Sequence, residues 1–302
     1  MAGWDEILTE IQSVQSPIDS VSNKYLEQLA NYTKRNVIAY YSAFLTKQTG
    51  RFISVSDLDM EGFMNAIKGM DCSKGLDLIL HTPGGDPSAA EGIVKYLGKK
   101  FNNDIRVIVP QMAMSAGTMI ACSAKKIIMG KASSLGPIDP QFNGIPAYNI
   151  ISEFEEAKKD LSTNPQNANY WAIQLNKYPA AFVKSCEDAI ALSGELVNTW
   201  LTTCMFADEN SETVNTKVKK IIESLNEHDE SKNHGRHFDI DFCKEIGLKI
   251  DELESDGKLQ DMVLSVHHAF MTMINNTNAG KVIASPNNKR WVMNESWLKN
   301  NT

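Results

Sequence analysis

Two short turns carry residue types that do chemistry together. His81-Thr82-Pro83-Gly84-Gly85 ends an apolar stretch, 76–80, in a turn that glycine makes at little cost. Further on, a second apolar stretch, 105–109, runs into Met114-Ser115-Ala116-Gly117, where a serine stands at the start of a helix. The first turn offers backbone N–H groups and the second a hydroxyl. Side by side they are the minimum equipment for nucleophilic attack on a carbonyl with an oxyanion hole beside it. Ser115 is the candidate nucleophile, but a serine hydroxyl is inert near neutral pH until a base takes its proton. The plainer alternative is an N-cap, in which that hydroxyl accepts from the helix's own first N–H groups.

These turns have to be held by strands and helices, and the flanking pattern supplies them. Strands are predicted at 36–45, 76–80, 105–109 and 126–129, with helices over 54–70, 87–100 and 115–124 between them. Such alternation implies a parallel sheet with right-handed crossovers. The runs Leu78–Leu80 and Val107–Val109 are continuously apolar, as strands covered on both faces should be. Asp77 and Arg106 fall at strand starts, where a charge is expected to reach water. From 150 onward the pattern turns helical, over roughly 149–162, 167–203, 208–227, 239–246 and 256–276. Two amphipathic helices, at 4–13 and from 19 to about 33, precede the core as an arm that packs on its own domain or reaches a neighbouring subunit. The segment 226–237 is a polar connection, and the Asn-rich end carries short strand patterns at 281–284 and 290–293. The resulting division is a helical arm 1–34, a core 35–150, a helical region 151–276 packing on core and neighbours, and a C-terminal tail 277–302.

Composition narrows the classes. The 302 residues are 42% hydrophobic and 22% charged, with a net charge of −7, and no basic stripe suits a nucleic acid. Five widely spaced cysteines without a CxxC pair suggest neither zinc nor a disulfide framework, and a reducing cytoplasm fits them. The first residues, MAGWDEILTEIQ, are acidic and amphipathic, unlike a signal peptide. The stretch 107–124 is uncharged but is interrupted by Pro110, Gln111, Ser115 and Gly117, so it reads as a buried strand and a buried helix, not a membrane span.

The ordered set TPGG, then AMSAGTMIA, then Ser133-Ser134-Leu135-Gly136-Pro137-Ile138-Asp139-Pro140 resembles the serine peptidases of the Clp/crotonase fold. Within them the chain is most similar to the signal peptide peptidase A clan and the serine dehydrogenase proteinase family, whose end also resembles 252–269. The resemblance covers about 35–160, with a weaker block at 240–270. It implies an α/β fold with a ββα spiral core of parallel strands, and a serine peptidase acting on peptides or unfolded protein without a cofactor or metal. It also implies backbone oxyanion donors at Gly85 or Gly84 and at Ala116, and a closed homo-oligomer, a trimer or a multiple of three; related peptidases work at membranes through an added span, which is not expected here.

The base is where the chain departs from the Clp pattern. A histidine belongs in the segment aligned with 135–141, and none stands there. The signal peptide peptidase clan uses a lysine instead, and Lys158 and Lys159 follow Ser115 by 43 and 44 residues. A lysine works as a base only if desolvation lowers its pKa, whereas Glu155, Glu156 and Asp160 nearby would raise it. Lys158 ranks first because it shares a helix face with Phe154. His81 is a possible substrate contact or a core residue, and His267-His268 is read as structural. His228, His234 and His237, with Asp229, Asp239 and Asp241, read as a solvated connection in preference to a metal site, and Cys122 as a small buried apolar residue. The alternatives to a Ser–Lys peptidase are a non-catalytic, ring-forming scaffold of the same fold and, more weakly, a crotonase-like acyl-CoA enzyme. Apolar faces on Tyr170, Trp171, Ile173 and Leu175, and on Val263, Val266, Phe270 and Ile274, are expected at subunit contacts.

Overall fold

The computed structural model describes residues 6–7, 9–10, 17–47, 50–226 and 235–294. Its centre is a seven-stranded sheet. Strand β1 (Asn36–Ser42) lies between β2 (Leu76–His81) and a later strand, and β2 pairs with β3 (Ile105–Val109) in parallel register, Leu78 beside Val107. Helix α1 (Pro17–Thr33) precedes β1, α2 (Asp59–Ile67) joins β1 to β2, and α3 (Pro87–Phe101) joins β2 to β3. Beyond β3 come a two-residue strand β4 (Met112–Ala113), helix α4 (Ala116–Cys122), β5 (Lys126–Met129) and another short strand, β6 (Ser134–Leu135). Helices α5 (Ala147–Thr163), α6 (Ala168–Leu175), α7 (Phe182–Trp200), α8 (Ser211–Asn226) and α9 (Ile240–Ile246) follow. The chain then returns to the sheet as β7 (Ile250–Glu252), crosses it as α10 (Gly257–Asn276), and ends in β8 (Ala279–Ser285) and β9 (Lys289–Asn294). In these labels the sheet order is β9-β8-β1-β2-β3-β5-β7, parallel from β1 to β7, with β8 antiparallel to β1 and to β9.

Side chains alternate across the sheet. Leu76, Leu78 and Leu80 point into a core shared with α2, α3, α4 and α8. Ile79, Tyr41 and Ile108 point the other way, onto α1 and α10. Strands covered on both faces explain the continuous apolar runs.

Some expectations are met and others are corrected. Asp77 does not reach water: it is fully buried, with Arg35 at 2.8 Å and Arg106 at 2.7 Å from its carboxylate oxygens. The second helix of the expected arm, α1, buries Val21, Leu26 and Leu29 on its own sheet. The helix over 167–203 breaks at 176–181, around Pro179, and its N-terminal part is the separate α6. Val263, Val266, Phe270 and Ile274 form no interface, because they are wholly buried against the sheet. The strand patterns at 281–284 and 290–293 fall inside β8 and β9, which complete the main sheet. The first helix of the expected arm falls largely outside the described residues.

Helices α5, α6 and α7 form the one region of this part with its own small cluster. Ala147, Ile150 and Cys186 are its buried centre, with Phe154, Tyr178 and Phe182 packed around them. Two polar clasps close it: Asp160 accepts from Trp171 Nε1 at 2.7 Å and Asn167 Nδ2 at 2.8 Å, and Glu153 accepts from Lys177 Nζ at 3.1 Å and from Tyr178 Oη. Tyr170 and Ile173 on α6 remain 57% and 76% exposed. Among the described residues no helix is long and apolar enough to cross a membrane, and the stretch 107–124 folds as β3, β4 and α4.

Candidate active site

The two turns meet at the C-terminal ends of β2 and β3. Short strand β4 aligns them: Thr82 N donates to Met112 O at 3.1 Å, and Met114 N donates to Thr82 O at 3.0 Å. The approach is close enough to demand glycine. A Cβ on Gly84 would stand 2.5 Å from Met114 O and 2.7 Å from the Ser115 Cβ, and one on Gly117 would stand 2.5 Å from Thr82 Cγ2. Gly84 also holds φ 92°, a left-handed conformation that side chains resist.

Ser115 occupies a tight turn, closed by Gly117 N donating to Met114 O at 2.7 Å. Its backbone sits at φ 52°, ψ −118°, the first central position of a type II′ turn, which is ordinarily glycine. A non-glycine residue there costs about 1–3 kcal/mol and persists only where its surroundings over-determine it. The N-cap alternative fails: the Ser115 side chain makes no capping bond. Among the described residues its hydroxyl has no hydrogen-bond partner, and the residue is half-buried, open to a ligand.

The surroundings are firm. Thr118 Oγ1 accepts from Gly136 N at 2.9 Å and lies 2.9 Å from both Ala113 O and Gly136 O, so one hydroxyl ties α4 to the loop that follows β6. A Cβ on Gly136 would meet Met114 Cε at 2.5 Å, so the SLGPIDP loop packs directly on the Met114 side chain. β4 pairs with β6, and Leu135 bridges to Phe238. Ser134 Oγ lies 3.1 Å from His237 Nδ1.

The structure gathers Gly84, Gly85, Ser115 and Ala116 and leaves the other named residues elsewhere. Gly84 N donates to Thr82 Oγ1 at 3.2 Å, whereas the N–H groups of Gly85 and Ala116 have no acceptor among the described residues. Lys158 and Lys159 on α5 are exposed, and Lys158 Nζ pairs with Glu155 at 2.5 Å with 70% of its side chain exposed, so nothing among the described residues desolvates it. His81 is fully buried, Nε2 3.1 Å from Gln111 Oε1, between Phe44 and Tyr41, with no open side toward a substrate. Burial pushes its pKa down to about 4, and that of His267, 5.5 Å away ring to ring, down to about 3. Cys122 is buried, its thiol pushed up to about 12. Among the described residues no group of His, Cys, Asp and Glu is placed to hold a metal; His228, Asp229 and His234 lie outside them.

Sequence reasoning missed the residues behind the glycine turn. Val55 N donates to Gly84 O at 2.8 Å and Asp86 N to Val55 O at 3.0 Å, so the 54–56 segment is strapped along the turn. Beneath it lie Tyr40, Asp59 and Lys281, all buried. The one available signal was a lysine inside the apolar run of β8.

Parts of the chain match known proteins. Residues 9–167 match the family described as ClpP-like SDH-type serine proteinases. Two uncharacterised proteins of Methanocaldococcus jannaschii are similar: MJ0137, 44% identical over 110 residues, and MJ1495, 39% identical over 112. The matches cover 36% and 37% of this chain and 37% of each relative, so the chain spans little more than a third of their length. Among solved structures, a serine-to-alanine mutant of 1510-N, a membrane-bound stomatin-specific protease, aligns over 69% of this chain and 79% of its own, at 18% identity and a TM-score of 0.36.

Proposed function

The chain belongs to the ClpP-like SDH-type serine proteinases, and from that premise we propose that it hydrolyses peptide bonds through Ser115, with Gly85 N–H and Ala116 N–H as the oxyanion hole. One observation carries the reading. Ser115 is held at a positive φ against Gly84 and next to Ala116, and among the described residues its hydroxyl and the N–H groups of Gly85 and Ala116 have no partners. A strained serine that caps nothing has no structural use for its position, and a nucleophile has. In the reaction the hydroxyl oxygen adds to the scissile carbonyl carbon while its proton passes to a base. The carbonyl oxygen takes up negative charge facing the two N–H groups, and collapse expels the amine, which receives the proton. Gly84, whose N–H is taken by Thr82, sets the turn and is the lesser donor candidate.

For the base the reading takes a lysine of α5, Lys158 ahead of Lys159. Both are exposed and need a covering surface, since a lysine serves as a base only where desolvation favours its neutral form. A homo-oligomer of cyclic symmetry, a trimer or a multiple of three, would supply that surface, and the bare Tyr170 and Ile173 on the adjoining α6 favour contact there. Enclosure would also restrict the enzyme to peptides and unfolded chains in the cytoplasm.

The test is hydrolysis of a fluorogenic peptide or unfolded protein by the wild type and by Ser115→Ala. The substitution should lower turnover by several orders of magnitude while leaving the melting temperature unchanged, since alanine keeps the Cβ at the same backbone position. Turnover retained in the variant would remove Ser115 from the mechanism.

A further inference from the structure

The straps on the glycine turn are anchored by a buried polar triad. Lys281 Nζ on β8 pairs with Asp59 Oδ1 at 2.5 Å and donates to Ser54 O at 2.5 Å. Asp59 Oδ2, at the start of α2, accepts from Tyr40 Oη at 2.8 Å and from Ser56 N at 3.0 Å. Lys281 and Asp59 have no exposed surface, and Tyr40 has 1%. Both bonds to Ser54 and Ser56 therefore bracket Val55, the residue that holds Gly84 O and Asp86 N. On its other side the Tyr40 phenol interacts with the Thr82 side chain, whose hydroxyl accepts Gly84 N. Every bond from the triad ends on a segment that touches the glycine turn.

Stability does not account for such an arrangement. Desolvating two charges offsets most of their attraction, and an apolar trio of similar volume in the same place is commonly as stable or more so. What a buried polar triad does that an apolar trio cannot is fix direction, because each bond has a preferred length and angle. An oxyanion hole needs that fixity, since its donors act only when aimed where charge develops.

We propose that Tyr40, Asp59 and Lys281 are positioning residues that hold Gly84–Gly85 at the distance from Ser115 at which the Gly85 N–H serves the oxyanion. They touch no substrate; they act through Val55 and Thr82. The proposal rests on the reading of Ser115 as a nucleophile for its catalytic consequence, but the mechanical part stands on the fold alone.

The decisive variant is Tyr40→Phe/Asp59→Leu/Lys281→Met, which empties the triad of polar atoms while keeping it packed. Phe63→Leu, which trims the ring stacked 6.0 Å from Tyr40, serves as a control for loss of packing without loss of a polar bond. Two readouts are taken on the full-length wild type, the triple variant and the control: kcat and KM for peptide hydrolysis, and hydrogen exchange of the Val55 and Asp86 amides. The triple variant should lose about 10²-fold in kcat, the order of one oxyanion donor, with KM little changed and both amides exchanging at least tenfold faster. The control should keep its kcat and its protected amides. Native kcat and native protection in the folded triple variant would overturn the proposal, as would equal loss in the control. If the wild type itself hydrolyses nothing, the peptidase reading fails, and amide exchange alone decides the mechanical claim: faster exchange in the triple variant upholds it, and unchanged exchange overturns it. A single Tyr40→Phe, which removes one oxygen, serves if the triple variant does not fold, with the same signs and smaller changes expected.

Discussion

The wall formed by β2, β4 and α4 and the projection formed by α5, α6 and α7 treat the residues of the proposed site in opposite ways. In the wall, Gly84, Gly85, Ser115 and Ala116 are fixed from all sides, by strand pairing, by Thr118, and by the strap at Val55. In the projection, Lys158 pairs with a carboxylate one turn away and is largely exposed. A strained backbone needs a rigid frame, and the sheet provides one. A lysine base needs a dry environment, and a three-helix projection with a core of three buried residues does not provide one. On the proposed reading, nucleophile and oxyanion donors lie within one chain, and the base would be completed by whatever covers α5.

The largest expected effect bears on that division. With Lys158 as base, Lys158→Ala should lower kcat by about 10²–10⁴-fold and Lys159→Ala only slightly, with neither melting temperature moved by more than a degree or two. Full activity in both single variants and in the double would place the base elsewhere and make the wall the whole of the chain's contribution.

The second prediction contrasts two helices of similar sequence character. Phe270→Ala on α10 should cost about 3–5 kcal/mol, because it opens a cavity against the sheet. Ile173→Ser on α6 should change monomer stability by less than about 0.5 kcal/mol. Denaturant midpoints check both. The same Ile173→Ser should lower the assembled mass in light scattering from a multiple of three chains of 33.5 kDa, and an unaltered mass would free that face of any contact.

The third concerns pH. His81 and His267 are buried and neutral, with pKa values of about 4 and about 3, below the ordinary 6.5. A depressed histidine binds its proton more readily once unfolded, so stability is complete above about pH 6.5 and is lost as pH falls toward 4. For His81 the loss is about 3 kcal/mol at the lower end. Melting temperatures measured between pH 7 and 4 should fall, and the fall should be reduced in His81→Gln. A fall of equal size in His81→Gln/His267→Gln would assign it to other groups.

Much of the wall was legible in the sequence because local rules and tertiary structure agree there. Apolar runs ending in TPGG and in MSAG specify buried strands followed by tight turns, and the crossovers between them leave little choice of topology. The failures share a cause, which is that burial is decided by partners distant in sequence. Val263, Val266, Phe270 and Ile274 looked unpartnered because the face that covers them is formed by Tyr41, Ile79 and Ile108. Asp77 looked solvated because Arg35, just before β1, and Arg106, on β3, reach it from distant parts of the chain. Lys281 pairs across more than two hundred residues with Asp59. Periodicity shows which side of an element is apolar, not what arrives to cover it.

The central claim is that Ser115 is a poised nucleophile and not a turn residue, and a fluorophosphonate probe tests it most directly. The account predicts that the folded wild type is labelled, that mass spectrometry places the adduct on Ser115, and that Gly84→Ala, which pushes a methyl group against the Ser115 Cβ, is labelled far more slowly. A well-folded wild-type protein that takes no label, in its assembled form and at neutral pH, would contradict it and leave the scaffold reading in its place.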